Sequence, residues 1–594
     1  MEVVDRYVGI VLQGILRFSL LLLIYAAKTD ESVSASEDLV QRPNVLFISV
    51  DDLNDWIGCM GGHPQSLTPN FDRLAKSGVL FTNAHCVAPA CNPSRTAVFS
   101  GISPNVSGLY RNEQTMRHVL PDAKLLPEFL SEHGYRSVGS GKLLHYVIDA
   151  RSWDDYFPAK EKEDPFAPHL PWGDRPKSLP RGGPWQYVET DWHAFNVSDE
   201  EFGGDVSTAK FVSDELSKQH EKPFFLACGI YRPHEPWFNP KHYFDLFPVE
   251  TIQLPLGYRA NDLDDVPGEG VRLGRNRYFD HIRRQGQWKK AIRAYLASIA
   301  FADANLGRIL DALESGPNRN NTIVVLWSDH GWHLGEKQHW QKFTGWRVCT
   351  RVPLMIRVPP GTQSMPDGTS AGTVCDAPVD LLGLFRTIAD LCGLQTPNNV
   401  SGHSLLPLML EKDSGWDHLA YTFLGQPGAV AISGQGSRYI RYQNGDEELY
   451  DTLSDPHEWN NVVNKLEYQQ VLEQYRESIP RHFAPLALSG SVQGQTRCMQ
   501  TLPRNTQLVS MPIGNAFHCV FRNATESDCE LFWVDRDGQS HSYGLIAAGG
   551  QRGQTTRTGA VWIVRSLVDG ETRGVRIQAN DHLLVIQEDD ESCK

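Results

Sequence analysis

Three apolar runs constrain the fold of this chain more than anything else in its 594 residues. Asn44–Val50 (NVLFISV), Lys222–Ile230 (KPFFLACGI) and Thr322–Trp327 (TIVVLW) are dense in β-branched and other large apolar residues, with no polar alternation. That is the pattern of parallel strands buried on both faces. Each run stops at polar residues: Asp51-Asp52, Tyr231-Arg232-Pro233-His234-Glu235, and Ser328-Asp329-His330-Gly331. In open α/β sheets, ligands bind at the carboxyl ends of the strands. Two adjacent carboxylates there are costly to bury unless a cation or other partners receive them. For an Asp-Asp pair taken alone, the alternative is a helix N-cap facing solvent.

A second feature lies between the first two strands. His85–Arg111 reads HCVAPACNPSRTAVFSGISPNVSGLYR. Cys91, Pro93, Ser94 and Arg95 fall within five positions, and the pattern turns helical after the proline. Proline is tolerated in a first helical turn because its missing N–H would have no intrahelical partner. Cys91 is thereby placed at a helix N-terminus, where free N–H groups favour negative charge, with Arg95 about one turn on. An anion-facing nucleophile is one reading; a buried structural cysteine or a disulfide with Cys86 is the other.

The C-x-P-S-R run followed by a helix resembles the signature of type I sulfatases, and His330, where many relatives carry Asn, resembles the iduronate-2-sulfatase branch. The resemblance implies that Cys91 is oxidised by a formylglycine-generating maturation enzyme to 3-oxoalanine (formylglycine). The hydrated aldehyde then attacks sulfur and can expel sulfate by re-forming the aldehyde. It also implies a Ca2+ site made by Asp51, Asp52, Cys91, Asp329 and His330, with Arg95 steadying the nucleophile's hydroxyls. Lys142, His145, His234 and Lys342 match residues that clamp sulfate, and His234 or Lys342 would protonate the leaving alcohol. Carboxylate oxygens suit a hard cation such as calcium. A zinc reading of His330, His333 and His339 fails on spacing, and a phosphate-loop reading of Gly139–Lys142 fails because no Ser or Thr follows the lysine.

The rest of the chain fits around these motifs. Leu125–His133 reads as an amphipathic helix, Tyr135–Val138 as a short strand, and Trp288–Ser315 as a long helix. Residues 150–202 and 251–285 read as polar loops, the first lying over the cleft where specificity usually resides. Val379–Leu391 reads as a closing helix, Ala420–Tyr442 as short alternating strands, and GDEELYDTLSDPHEWNNVV resembles the C-terminal subdomain of sulfatases.

The fold class implied is α/β: an alkaline-phosphatase-like sulfatase sandwich with a central, mainly parallel sheet, a small C-terminal antiparallel subdomain and an appended all-β sandwich. The expected boundaries are 1–35 signal peptide, 36–412 catalytic domain, 413–486 subdomain, 487–506 linker and 507–592 sandwich. The apolar stretches Val8–Ile15 and Phe18–Ala27, followed by Val33-Ser34-Ala35, read as an export signal. Secreted, periplasmic or lysosome-like placement follows, with a retained membrane signal anchor as the alternative.

The last segment resembles the β-domain of the von Hippel–Lindau tumour suppressor. Tyr543 and Trp562 match aromatics of that domain's hydroxyproline pocket, but the pocket's histidine falls at Ala560. The resemblance therefore implies a fold and a protein or glycan ligand, not hydroxyproline recognition.

A net charge of −15 argues against nucleic acid as a partner. An anionic substrate needs a basic cleft in an acidic protein. The eleven cysteines include no C-x-x-C pair, so no zinc ribbon or disulfide framework is indicated. The substrate implied is a sulfated carbohydrate. The rivals are a phosphodiesterase or phosphonate monoester hydrolase of the same superfamily, and a non-catalytic protein that binds sulfated glycans.

Overall fold

The computed structural model describes residues 42–162, 164–171, 175–180, 190–411, 415–487, 495–502, 508–511, 513–578 and 581–587. The expected export signal lies outside them. Eight strands form the central sheet: Asn44–Val50 (β1), Val79–Phe81 (β2), Arg136–Gly141 (β3), Asp155–Phe157 (β4), Phe224–Ile230 (β5), Thr322–Ser328 (β6), Leu354–Arg357 (β7) and Thr373–Cys375 (β8). Their spatial order is β8-β2-β7-β6-β1-β5-β3-β4. The three apolar runs lie side by side at its centre, with β1 parallel to both β5 and β6. β3 is parallel to β5 and β4, whereas β7 runs antiparallel to β6 and β2.

Both faces of this sheet are covered. Val45, Phe47, Phe225 and Trp327 point to one side, and Leu46, Ile48, Leu226 and Leu326 to the other. On the second side pack Pro69–Ser77 (α1), Asp205–Leu216 (α3) and Trp288–Ser315 (α4). On the first lies Cys91–Ser100 (α2), with Val98 and Phe99 against the sheet. All ten residues of α2 are buried, so its polar residues cannot be a solvated face. They must meet partners inside the protein.

Two expected loop regions hold more structure than their composition suggests. Residues 150–202 include β4, the strand Trp192–Phe195 and the helix Asp199–Phe202, whose N-cap Ser198 forms a capping box with Glu201. Residues 251–285 include the helices Gly268–Gly274 and Arg277–Arg284. The latter is capped by Asn276 and anchored by buried Phe279 and Ile282, which two apolar residues among many charges had concealed. Strand β3 also runs to Gly141, beyond the expected Val138.

The antiparallel subdomain is a four-stranded sheet of Ala420–Phe423 (β9), Val430–Ser433 (β10), Ser437–Arg441 (β11) and Glu447–Asp451 (β12), in that order. Its Tyr439, Leu449 and Tyr475 share one apolar core with the catalytic sheet. The buried carboxylate of Glu448 accepts hydrogen bonds from Trp346 Nε1 and from the hydroxyls of Tyr442 and Tyr450.

The last element is a two-sheet sandwich. Its strands are Gln495–Cys498 (β13), Gln500–Thr501 (β14), Ile513–Asn523 (β15), Cys529–Val534 (β16), Ser540–Ile546 (β17), Gln551–Thr558 (β18), Val561–Ser566 (β19), Thr572–Arg576 (β20) and Asp581–Ile586 (β21). They form sheets β13-β21-β15-β18 and β14-β20-β19-β16-β17. The expected linker is corrected here: Gln495–Cys498 and Gln500–Thr501 are edge strands paired with β21 and β20. Between them, fully buried Met499 joins the sandwich core, which outweighs the polar composition around it. Trp562 packs edge-on against Tyr543 at 4.8 Å and donates from Nε1 to Thr556 Oγ1 at 2.8 Å. Among the described residues Cys59, Cys86, Cys91, Cys228, Cys349, Cys519 and Cys529 are free thiols, and Cys498 is disulfide-bonded.

Candidate functional site

Three strand ends and one helix start meet at a point. β1 delivers Asp51 and Asp52, β6 delivers Asp329 and His330, β3 delivers Lys142, and α2 begins at Cys91. The Cys91 Sγ lies 3.2 Å from His330 Nε2, 3.0 Å from Lys342 Nζ, 3.6 Å from Lys142 Nζ and 3.6 Å from Asp51 Oδ1. Lys142 pairs with Asp51 Oδ2, and Lys342 with Asp52 Oδ1 at 2.8 Å. His234 brings Nε2 to 3.6 Å from Asp52 Oδ2 and stacks on Tyr231 at 4.8 Å. Every expected site residue is buried except His145, whose ring nonetheless has its Nδ1 enclosed without a hydrogen-bond partner.

Arg95 is held by carboxylates and backbone at the strand ends. Its Nε donates to Asp329 Oδ2 at 2.7 Å and its Nη2 to Asp51 Oδ1 at 3.1 Å, while Nη1 donates to Ser49 Oγ and the Lys142 carbonyl. Its hydrogen bonds therefore hold carboxylates and backbone, and none goes to Sγ. Ser94 Oγ donates to the Asp329 carbonyl, fixing the same strand end. The three histidines of the zinc reading set aside on spacing do not converge. His333 faces Thr344 and Glu336, and His339 spans the carbonyls of Gly274 and Lys342.

The electrostatics follow from packing many charges without water. Burial would raise the Asp51 carboxyl, but Lys142 and Arg95 outweigh it and hold it well below the usual range. Asp52 is pushed up to about 7, by burial first and then by its neighbours Asp51 and Cys91, against the pull of Lys342. Burial opposes charge on His330, yet Asp329 and Cys91 raise it to about 9. Lys142 and Lys342 likewise lower the Cys91 thiol against burial.

The donor set is what a divalent cation takes. Asp51, Asp52, Cys91 and His330 each offer a ligand atom, all within 4.8 Å of one another. Asp329 stands beside them with Oδ2 at 3.5 Å from His330 Nε2. Asp52 Oδ2 is buried with no hydrogen-bond partner, an orphan that a cation would satisfy. A thiol is the misfit for a hard metal; an oxygen at the same place would remove it.

Contributors without a motif complete the site. Gly141 has φ +74°, and a Cβ on it would collide with the Gly229 carbonyl; one on Gly229 would collide with the Lys142 backbone. The pair lets β3 and β5 approach closely enough to seat Lys142. Tyr146, directly after His145, covers Lys142 with its ring at 4.5 Å. On another loop, Phe343 follows Lys342 with φ +78° and its ring half exposed.

Comparison with known proteins agrees with this geometry. The sulfatase family profile matches residues 43–394, and the profile of the C-terminal region of N-sulphoglucosamine sulphohydrolase matches 335–483. A sulfatase of Formosa agariphila is 38% identical over 477 residues, spanning 78% of this chain and 92% of that protein. Iduronate 2-sulfatase of Homo sapiens is 31% identical over 390 residues, spanning 60% of this chain and 70% of that one. Two solved structures share the fold at 22% identity. One, in complex with its substrate D-glucosamine-2-N,6-O-disulfate, has a TM-score of 0.57 and covers 74% of this chain and 97% of its own. The other, a phosphonate monoester hydrolase of Agrobacterium radiobacter, has a TM-score of 0.58 with 74% and 95% covered.

Proposed function

The chain belongs to the sulfatase family and is a sulfuric ester hydrolase, and from that premise we propose that it is an exported, calcium-dependent enzyme that removes sulfate from sulfated carbohydrates through a formylglycine at position 91. The observation that carries this reading is the meeting of Cys91 with Asp51, Asp52 and His330 at buried strand ends, flanked by two lysines. Asp51, Asp52, Asp329 and His330, with residue 91, are the groups that would hold calcium. Bound there, the cation would offset the carboxylate charge and polarise a sulfate oxygen. Matured residue 91 would present a hydrate oxygen where Sγ now stands.

The chain's own side chains do the rest. Arg95 ties Asp51 to Asp329 and so fixes two carboxylates from different strands relative to α2. Lys142 and Lys342 converge on the nucleophile position from two sides. Both keep their protons, since Asp51 and Asp52 offset the burial that would remove them. They therefore suit the oxygens of a sulfate group whose charge grows in the transition state. His145 and His234 complete the lining. The leaving alcohol needs a proton, and His234 and Lys342 both flank Asp52. Comparing pH–rate profiles of His234→Gln and Lys342→Arg on esters with good and poor leaving groups assigns that step.

The sandwich adds a binding surface, for a glycan or a protein, rather than chemistry. Among the described residues no helix is long and apolar enough to cross a membrane. The test of the whole reading is production with a maturation enzyme, mass analysis of the peptide containing residue 91, and sulfate release from a panel of sulfated sugars. An aldehyde at 91 with sulfate release is expected. Full activity from a chain with unmodified Cys91 overturns it. A preference for phosphodiesters or phosphonate monoesters over sulfate esters would move the enzyme to the rival class.

A further inference from the structure

Seven non-glycine residues in the described chain have a positive φ: Asp52, Tyr146, Lys337, Gln338, Gln341, Phe343 and Glu458. Such backbone is strained for a residue with a bulky side chain, and it clusters at active sites and ligand clamps. Asp52 is one of the carboxylates of the site described above. Tyr146, at φ +55°, has no role in the reaction as derived so far.

Its surroundings are specific. The ring lies 4.5 Å from Lys142 Nζ, 4.7 Å and nearly perpendicular to the His145 ring, and 6.3 Å from the His234 ring. Its hydroxyl is 3.3 Å from that of Tyr231, and Phe166 packs edge-on to both tyrosines. The Lys142, His234 and Lys342 side chains are buried, whereas Tyr146 is 37% exposed. It is thus aromatic surface beside the sulfate-facing lysine and two histidines, reached from solvent.

We propose that Tyr146 determines specificity by serving as the platform on which the sugar ring of the sulfate ester rests. A pyranose presents a face of C–H groups that suits an aromatic ring, while its sulfate would reach past the ring edge to Lys142 and residue 91. A purely structural residue at this position would gain nothing from the left-handed backbone, which glycine adopts at no steric cost. This inference rests on the sulfatase reading above and adds what holds the leaving group.

The experiment compares the matured wild-type chain with Tyr146→Gly and Tyr146→Phe. Substrates are 4-nitrophenyl sulfate and whichever sulfated monosaccharide the wild type cleaves fastest from a panel. For the sugar, the glycine variant should raise KM about tenfold, the scale of one lost aromatic contact, with a smaller change in kcat. The phenylalanine variant should restore KM. The melting temperature of the glycine variant should equal or exceed the wild type, because the strain is relieved. An unchanged sugar KM in a folded, matured glycine variant overturns the platform alone. So does a fall in melting temperature accompanied by equal losses on both substrates, which marks a packing role. A wild type that releases sulfate from no sugar overturns the platform together with the carbohydrate reading.

Discussion

The catalytic centre and the C-terminal sandwich handle charge in opposite ways. At the centre, Asp51, Asp52, Arg95, Lys142, Asp329 and His330 are all fully buried. In the sandwich the core is apolar, built on Met499, Phe521, Leu531, Trp562 and Leu584. Its ion pairs, such as His541 with Asp535, lie toward the surface, although Asp581, paired with the partly exposed Arg497, is itself buried. Burying an ion costs several kcal/mol even after partners are supplied. A region that keeps six such groups together does so because the charges are used. A region that packs aliphatic and aromatic side chains needs no such explanation, and its contribution is shape.

The strongest test of that contrast is Cys91→Ser. Turnover should fall by a factor on the order of 10^4 or more, as when a covalent nucleophile is removed, while the melting behaviour of the sandwich is untouched. Sulfate release assays and calorimetry read the two halves. A serine variant that turns over at the wild-type rate would erase the distinction.

Next in size is Arg95→Ala, which leaves Asp51 and Asp329 buried without their shared cation. Stability of the catalytic domain should drop by about 3–5 kcal/mol. His541→Ala, in the sandwich, should change stability by a small fraction of that, since partly exposed pairs contribute little. Denaturant unfolding of both variants checks the ratio.

Chelation should abolish activity and lower the melting temperature of the catalytic domain, with calcium restoring both. The sandwich transition should not move. One common shift in both transitions would show that the two regions unfold as a unit.

Truncation sharpens the comparison further, and the structure refines where to cut. Ala487 N donates to the Gly108 carbonyl at 2.9 Å, and Gln114 Nε2 donates to the Ala487 carbonyl at 2.9 Å. Gln114 in turn accepts from the amides of Tyr110 and Arg111, and its carbonyl takes Asn92 Nδ2. Ala484 and Ala487 thus brace the loop behind Cys91. A chain ending after Ala487 should keep its turnover of a small aryl sulfate within about threefold and lose activity mainly on long polymers. One ending at Pro485 should be less stable. Loss of small-substrate turnover in the longer truncation, still folded and matured, would place the sandwich in the substrate pocket.

The smallest effect concerns pH. Burial pushes the Glu336 carboxyl from its ordinary 4.5 to about 7. A folded-state pKa above the unfolded value means the folded state binds the proton more tightly. Its contribution is therefore complete below pH 4.5 and is lost as pH rises toward 7. Glu336→Gln should flatten that part of the stability curve. A parallel curve in the variant would count against it.

Much of this was legible in the sequence because the decisive elements are extreme. Unbroken apolar runs such as Thr322–Trp327 fit little except a doubly covered strand, and the polar residues that end them mark the ligand side. The site residues came from a motif resemblance, and the fold brings them to one place. What escaped was set by three-dimensional fit. Phe279 and Ile282 anchor a helix inside a stretch that reads as polar loop, since two apolar residues suffice when both are buried. Met499 draws two edge strands from a segment that reads as linker. Arg95 carries a charge that suits an anion, but only the positions of β1 and β6 show that its partners are carboxylates. Tyr146 had no motif at all, and its adjacency to His145 was the one hint.

The close approach of the paired strands β3 and β5 at Gly141 and Gly229 has an evolutionary consequence. Neither residue carries a functional group, yet neither position has room for a single additional carbon. On the platform reading, a drifting lineage can rework Tyr146 and so change its preference among sugars. It cannot alter these two positions without moving Lys142 away from Cys91. In a deep mutational scan they should be as intolerant as Cys91, marking the part of the enzyme that descent must leave alone while substrate preference is free to wander.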